Sequence, residues 1–370
     1  MKDILLQKID RVMEKSADRL LHLPPSKNGK YFEAEDGVFE LSHIYSTNQA
    51  FITGMVLRAY AETKDEKYLK WCEKFYDEYH EKVSNQKYDT SQNTGMLYSL
   101  YAVGMYKLNN DEKYKRTALL AADEVARRFV PKNGYLKAWG RGDSHFPSYV
   151  DSWSEDNPFY SENKGLMVIE TMMNLPLLFW AYKVSKHPFY LWIALSHIDA
   201  TKKYLIRRDN TTAHGYRFNE WTGEVYCEDN YFGYSKGSYW AKGAAMGIYG
   251  FAIAGRYSGG MIPVAVSLLD RFIDSCDGKM PVWDFTAPDK TVDTTAAAIV
   301  LCAVREIKRY TENEKINCFE KTIEKGLSEY VDKNMDIDGI LKEQNGRHEY
   351  DLTGDYFLTE AYLGGDFSVW

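Results

Sequence analysis

The sequence predicts an all-α fold, an (α/α)6 barrel of about twelve helices. Three observations lead there. Apolar residues recur at three- and four-residue spacing along most of the 370-residue chain, and period-two alternation is scarce. Helix pairs recur about every 60 residues, as expected of a hairpin unit that buries its apolar face against its neighbours. Three junctions share a related polar turn: Thr63-Lys64-Asp65-Glu66-Lys67-Tyr68, Asn109-Asn110-Asp111-Glu112-Lys113-Tyr114 and Thr311-Glu312-Asn313-Glu314-Lys315. In each, one helix ends and an Asp or Asn can cap the next. No Pro- or Ser-rich linker divides the chain, so residues 1–370 read as a single barrel domain. An open solenoid is the competing architecture.

Taken in order, Ile9, Val12, Met13, Ala17 and Leu20 mark the apolar face of a first helix. Similar patterns run through 48–62, 66–83, 94–108, 112–130, 165–185, 189–207, 239–257, 262–276, 293–310, 315–333 and 354–363. The segment His214-Gly215-Tyr216-Arg217-Phe218 alternates as a strand, and Asn219 to Gly223 can turn it into a small hairpin. Gly140 to Lys164 breaks the helical pattern. This long polar insertion, 140–164, carries Phe146, Tyr149, Trp153 and Tyr160, and its rings favour packing over a cleft.

Composition narrows the function. Aromatic residues make up 15% of the chain, with 29 Tyr, 17 Phe and 9 Trp, which excludes disorder and suits a sugar-binding cleft as well as a large core. The formal charge is −7 and the basic residues are scattered, so nucleic acid is excluded as a partner. Met1 to Lys8 lack the apolar core of a secretory signal, and Gly243–Gly255 and Thr294–Val304 are too short to span a bilayer. The five cysteines have neither metal nor redox spacing. A cytoplasmic protein with reduced thiols, no metal, no cofactor and no membrane partner is expected, as a monomer or homodimer.

Phosphate-cradling loops, zinc helices and nucleophile elbows are absent. Four other stretches stand out: Tyr88–Tyr98; Ala138-Trp139-Gly140 with Ile169–Leu178 beyond the insertion; Ser235–Gly250; and Val282–Pro288 with Asp293–Ala298. Glu170 lies between Ile169 and Met172-Met173. Partial burial there would favour its protonated form and equip it as a proton donor. The alternative is an acid at a helix N-terminus, stabilised by the dipole.

At these residues the chain resembles glycoside hydrolase family 88, the unsaturated glucuronyl hydrolases, and the sibling family 105. The frames are A-W-G, an acid four positions before N-L-P-L-L, S-x-W-x-[KR]-G-x-A-x-G-I-Y-G-F, W-D-F, D-[ST]-[ST]-A-A-A, and Thr353-Gly354-Asp355-Tyr356-Phe357. The resemblance runs from about residue 45 to Leu363. It implies a cytoplasmic (α/α)6 barrel acting on lyase-generated oligosaccharides that end in a 4,5-unsaturated uronic acid. It also implies hydration chemistry: an acid protonates C4 of the C4=C5 bond, water adds at C5, and the hemiketal opens to release the aglycone. No metal or organic cofactor takes part.

The chain departs from the family inside these frames. The catalytic acid of the family is an Asp, and its position here is Glu170. The second essential Asp is replaced by Asn93, which can hydrogen-bond but cannot exchange a proton at neutral pH. Asp89 stands in only if its loop places it there. Lys242 replaces an Arg and keeps the charge without the bidentate fork. Met246 replaces a Trp, and Asn230-Tyr231-Phe232-Gly233 replaces T-H-Q-G. Trp139, His214 and Trp240 persist. Glu170 and Asn93 are therefore the catalytic candidates; Trp139, His214, Trp240, Lys242, Asp89 and Tyr239 are the substrate-binding candidates. Trp283-Asp284 and Asp293 read as loop anchors. Two other functions fit the residues: a glycosidase pairing Glu170 with Asp89, Asp151 or Asp156, and a non-catalytic sugar-binding relative.

Overall fold

A computed structural model describes residues 1–16, 47–85, 92–138, 165–342 and 350–370. Asp89, Trp139, Asp151, Asp156 and the whole 140–164 insertion lie outside the described residues.

Six helices are apolar on nearly every side and form an inner ring: α2 (Thr47–Thr63), α5 (Thr94–Tyr98), α8 (Leu175–Ser185), α10 (Ala241–Ala254), α12 (Thr294–Ile307) and α14 (Leu352–Tyr362). Every residue of α10 except Lys242 is buried, as expected of a helix without a polar face. Each inner helix packs on the next in the order α2, α5, α8, α10, α12, α14, and α14 returns to α2, so the ring closes. The closed ring excludes the solenoid.

Around it lie α1 (Lys2–Ser16), α3 (Glu66–Glu73) with α4 (Tyr76–Ser84), α7 (Glu112–Ala126), α9 (Pro188–Tyr204), α11 (Met261–Cys276) and α13 (Glu314–Tyr330). These helices are amphipathic. α13, for example, buries only the stripe Ile316, Phe319, Ile323 and Leu327. The result is the expected (α/α)6 barrel. The three related turns behave as the sequence implies. Asp65 accepts the Lys67 N–H (3.0 Å), Asp111 the Lys113 N–H (2.9 Å) and Asn313 the Lys315 N–H (2.9 Å).

The structure corrects several boundaries. The 66–83 pattern is split at Lys74-Phe75 into α3 and α4. The 94–108 pattern passes from α5 through a π-helical turn, Ser99–Val103, into α6 (Gly104–Asn109). The largest change is at 165–185. Leu166–Val168 is strand β3, because the hairpin of β4 (Gly215–Phe218) and β5 (Val225–Asp229) offers it an antiparallel edge. A 3-10 turn, Ile169–Met173, follows, and α8 starts only where Pro176 can occupy the first helical turn. A second small hairpin joins β1 (Phe129–Val130) to β2 (Tyr135–Leu136).

All six inner helices begin at the same end of the barrel. There the Met96 N–H of α5 donates to Asn174 Oδ1 at the start of α8 (2.7 Å), and Lys242 of α10 pairs with Asp351 at the start of α14. At the opposite end Arg58 pairs with Glu360 (3.1 Å), Arg256 with Glu306 (2.7 Å), and Arg305 donates to the Ala361 carbonyl. Ion pairs therefore gather where the inner helices end, and the positive ends of the helix dipoles converge where they begin.

His197 of α9 is fully buried, and its Nδ1 accepts the Leu136 N–H (2.9 Å). Burial pushes its pKa down to about 3 from 6.5. The folded state thus keeps His197 neutral, while the unfolded chain takes up a proton as pH falls below 6.5. This group should remove about 1.4 kcal/mol of stability per pH unit below that point. His197→Asn, which keeps an acceptor for Leu136, should lack that component when urea denaturation is compared at pH 7 and pH 5. Equal pH slopes in parent and variant would contradict the assignment.

Candidate functional site

The site is built on a close approach of backbones. The 3-10 turn Ile169–Met173 lies across the face of α10 that carries Gly243, Gly247 and Gly250. A Cβ at Gly247 would stand 2.8 Å from Ile169 Cγ1, and one at Gly250 would stand 2.5 Å from Met172 Cβ and 2.8 Å from its backbone carbon. Only glycine lets the turn settle this deeply. Asn174 then ties it down: its Nδ2 donates to the Glu170 carbonyl (3.3 Å), and its Oδ1 accepts the Met96 N–H (2.7 Å). Thr171 Oγ1 donates to Gln92 Oε1. The segment bearing Asn93 is therefore pinned against the segment bearing Glu170. Asn93 sits half-buried at the N-terminus of α5, where its carbonyl accepts the Leu97 N–H (2.9 Å).

Glu170 is buried, and its Oε1 lies 3.1 Å from His214 Nε2. The histidine tautomer follows from its other nitrogen. His214 Nδ1 accepts the Tyr231 N–H (2.9 Å) and so carries a lone pair. The ring proton must then be on Nε2, pointing at Glu170. Backbone pairing sets the distance, because the Ile169 N–H donates to the His214 carbonyl (2.9 Å). Glu170 Oε2 is buried as well, yet has no hydrogen-bond partner among the described residues. An unsatisfied buried carboxyl oxygen is costly, which makes this atom the candidate ligand contact of the site.

Aromatic rings frame the histidine that meets this carboxyl. Trp240 meets the His214 ring edge-on at 5.0 Å, and Phe232 lies 5.1 Å from it. Asp284 anchors the loop that carries Phe232: it is fully buried, its Oδ2 accepts the Tyr234 N–H (2.9 Å) and Ser238 Oγ–H (2.6 Å), and its Oδ1 accepts the Thr286 N–H (2.9 Å). Asp293 caps α12 through the Ala296 N–H (2.6 Å). Both aspartates thus hold loops and helix starts in place.

Two substrate-binding candidates are placed differently from expectation. Lys242 pairs with Asp351 inside the protein, so its charge is already matched. Burial would raise the Asp351 carboxyl, but the Lys242 ammonium beside it holds it below the usual range; burial, only partly offset by Lys242, pushes Asp293 up. Tyr239 is turned into the core, its ring 5.1 Å from Phe285, which meets Phe272 of α11. Its hydroxyl is buried there, because Tyr239 and Trp240 lie in extended backbone bridged to the Asp284 strand, where successive side chains point to opposite faces. The structure therefore brings together Glu170, His214 and Trp240, and ties the segment bearing Asn93 to the Glu170 turn through Gln92 and Met96. Sequence reasoning noted Phe232 and Gln92 only as departures from the family frames, without a role for either, and passed over the packing role of the three glycines; the spacing of Gly243, Gly247 and Gly250 on one helix face was the available signal.

Residues 25–264 match Glycosyl Hydrolase Family 88, and the chain belongs to that family. It is similar to the unsaturated glucuronyl hydrolase of Bacillus sp. (strain GL1), with 27% identity over 375 residues that cover 95% of this chain and 92% of the relative. The crystal structure of that enzyme, described as responsible for the degradation of glycosaminoglycan, superimposes with a TM-score of 0.79 and 26% identity, covering 96% of this chain and 93% of the other. The unsaturated chondroitin disaccharide hydrolase of Streptococcus agalactiae serotype III (strain NEM316) is 25% identical over 333 residues, 85% of this chain and 79% of the relative.

Gly250→Ala should force Met172 and its backbone to move, lowering stability by about 1–3 kcal/mol. Gly259→Ala, whose new Cβ would meet nothing within 4 Å, serves as the control. Equal denaturation midpoints for the two variants would show that the turn tolerates displacement.

Proposed function

We propose that this glycoside hydrolase removes a 4,5-unsaturated uronic acid from the non-reducing end of lyase-generated oligosaccharides, with Glu170 as both acid and base. The observation that carries this reading is the divided environment of the Glu170 carboxyl. One oxygen is held by His214 Nε2–H, and the other is buried with no hydrogen-bond partner among the described residues. A carboxyl fixed at one oxygen presents the second in a defined direction, which proton transfer to carbon requires.

In this mechanism protonated Glu170 delivers its proton from Oε2 to C4 of the C4=C5 bond. Water adds its oxygen to C5 and returns a proton to the Glu170 carboxylate. The C5 hemiketal then opens by breaking its C5–O5 bond, leaving a ketone at C5 and a hemiacetal at C1, and the hemiacetal collapses to the aldehyde, its hydroxyl proton passing to the departing aglycone oxygen. His214 keeps the carboxylate oriented throughout. Asn93, pinned beside the Glu170 turn, hydrogen-bonds a sugar hydroxyl or the acid itself. Trp240 and Trp139 supply stacking surfaces. The converging N-termini of the inner helices provide a favourable potential for the uronate carboxylate, which Lys242, engaged with Asp351, supplies less directly than an unpaired cation. All five cysteines are free thiols, which supports a reducing, cytoplasmic location.

Incubation with a panel of lyase-derived unsaturated disaccharides should abolish the ultraviolet absorbance of the double bond. Glu170→Gln should lower kcat by about 10²–10⁴-fold, the usual cost of losing a general acid. An unchanged absorbance across the panel, or full activity in the variant, would overturn the proposal.

A further inference from the structure

We propose that Phe232 is a specificity-determining wall of the sugar site, packing on the apolar C–H face of the pyranose whose ring atoms meet Glu170. The inference rests on the reading of Glu170 as the reacting group. An exposed phenylalanine alone would carry little, since isolated apolar residues are common on protein surfaces. Phe232 differs in three respects.

Its position is the first. Phe232 is 39% exposed, yet its ring lies 5.1 Å from His214 and 5.5 Å from Trp240. His214 in turn touches Glu170. Two aromatic rings therefore converge on the histidine that holds the reactive carboxyl, and they form a corner beside it.

The second is that the loop is held in place before any ligand arrives. On one side of Phe232 the Tyr231 N–H donates to His214 Nδ1 (2.9 Å). On the other, the Gly233 N–H donates to Asn230 Oδ1 (2.7 Å) and the Tyr234 N–H to buried Asp284 (2.9 Å). Asn230 Nδ2 also reaches the Ser235 carbonyl (2.9 Å). A Cβ at Gly233 would stand 2.5 Å from Asn230 Nδ2 and 2.9 Å from Asp284 Oδ2, so the turn is built for glycine after the aromatic residue. An exposed ring on a loop fixed by bonds on both sides is preorganised for contact, and binding need not order it.

The third is chemical. A phenyl ring accepts no conventional hydrogen bond and donates none, so it rewards a sugar face without hydroxyls and penalises one whose hydroxyl would be stripped of water against it. A 4,5-unsaturated uronyl ring has lost the hydroxyl at C4 and is flattened at C4 and C5, leaving an apolar edge where proton transfer occurs. Phe232 fits that edge, and a saturated uronyl ring would bring a hydroxyl to it.

The test separates binding from turnover. Phe232→Leu and Phe232→Gln should each raise KM for unsaturated disaccharides about tenfold, with kcat within about twofold of the parent. Gln should weaken the preference for the unsaturated over the corresponding saturated uronyl disaccharide, as measured by calorimetric binding to Glu170→Gln protein with and without the second substitution. Circular dichroism checks that the variants fold, and Phe232→Tyr, which keeps the ring, should restore KM. Unchanged KM and unchanged affinity in folded Phe232→Gln protein would overturn the proposal. If no disaccharide were turned over but affinity still fell with Phe232→Gln, the wall would stand and the Glu170 reading would fail.

Discussion

The site depends on how closely the Ile169–Met173 turn can approach α10. Gly243, Gly247 and Gly250 remove side chains along one face of the helix, and Ile169 and Met172 fill the resulting groove. This contact fixes the backbone of Glu170. Antiparallel pairing of β3 with β4 then delivers His214 to the same place, with the Ile169 N–H bonded to the His214 carbonyl. The carboxyl and its partner come from segments 44 residues apart, and they meet because β3, just before the Ile169–Met173 turn, pairs with β4, just after His214.

The rest of the barrel serves that site electrostatically. The inner helices run parallel, so their positive ends face the site, while at the opposite side Arg58 and Arg256 are paired with Glu360 and Glu306 and Arg305 donates to the Ala361 carbonyl near the end of α14. Lys242 and Asp351 join the first turns of α10 and α14, a bond between neighbours but one in the ring. This pair stiffens the rim and also withdraws a cation that family resemblance would assign to the substrate. The pattern is one of local rebuilding on a retained frame.

Much of the frame was legible in the sequence. Helical periodicity and the capped turns at Asp65, Asp111 and Asn313 identify the hairpins, and their number implies closure. The hairpin beginning at Gly215 was legible too, because its alternation and turn residues are local signals. The start of the 165–185 segment was not. Leu166–Val168 is apolar enough for either a strand or a helix, and only the distant edge of β4 decides between them. In the site, Glu170 and His214 could be singled out by residue type and frame, but their contact could not, since it depends on the same pairing. Tyr239 and Trp240 are adjacent in sequence and face opposite ways, a distinction set by the Asp284 loop and invisible to composition. Lys242 looked available because its partner, Asp351, lies 109 residues away.

The central claim is that a neutral His214, protonated on Nε2, holds one oxygen of Glu170 and leaves the other to react. Nitrogen-15 NMR of the His214 ring tests this most directly, with Glu170→Gln used to assign the signal. The account predicts a protonated, pyrrole-type shift for Nε2 and an unprotonated, pyridine-type shift for Nδ1 at neutral pH. A proton on Nδ1 would break the bond from Tyr231, reverse the orientation of the pair, and contradict the account.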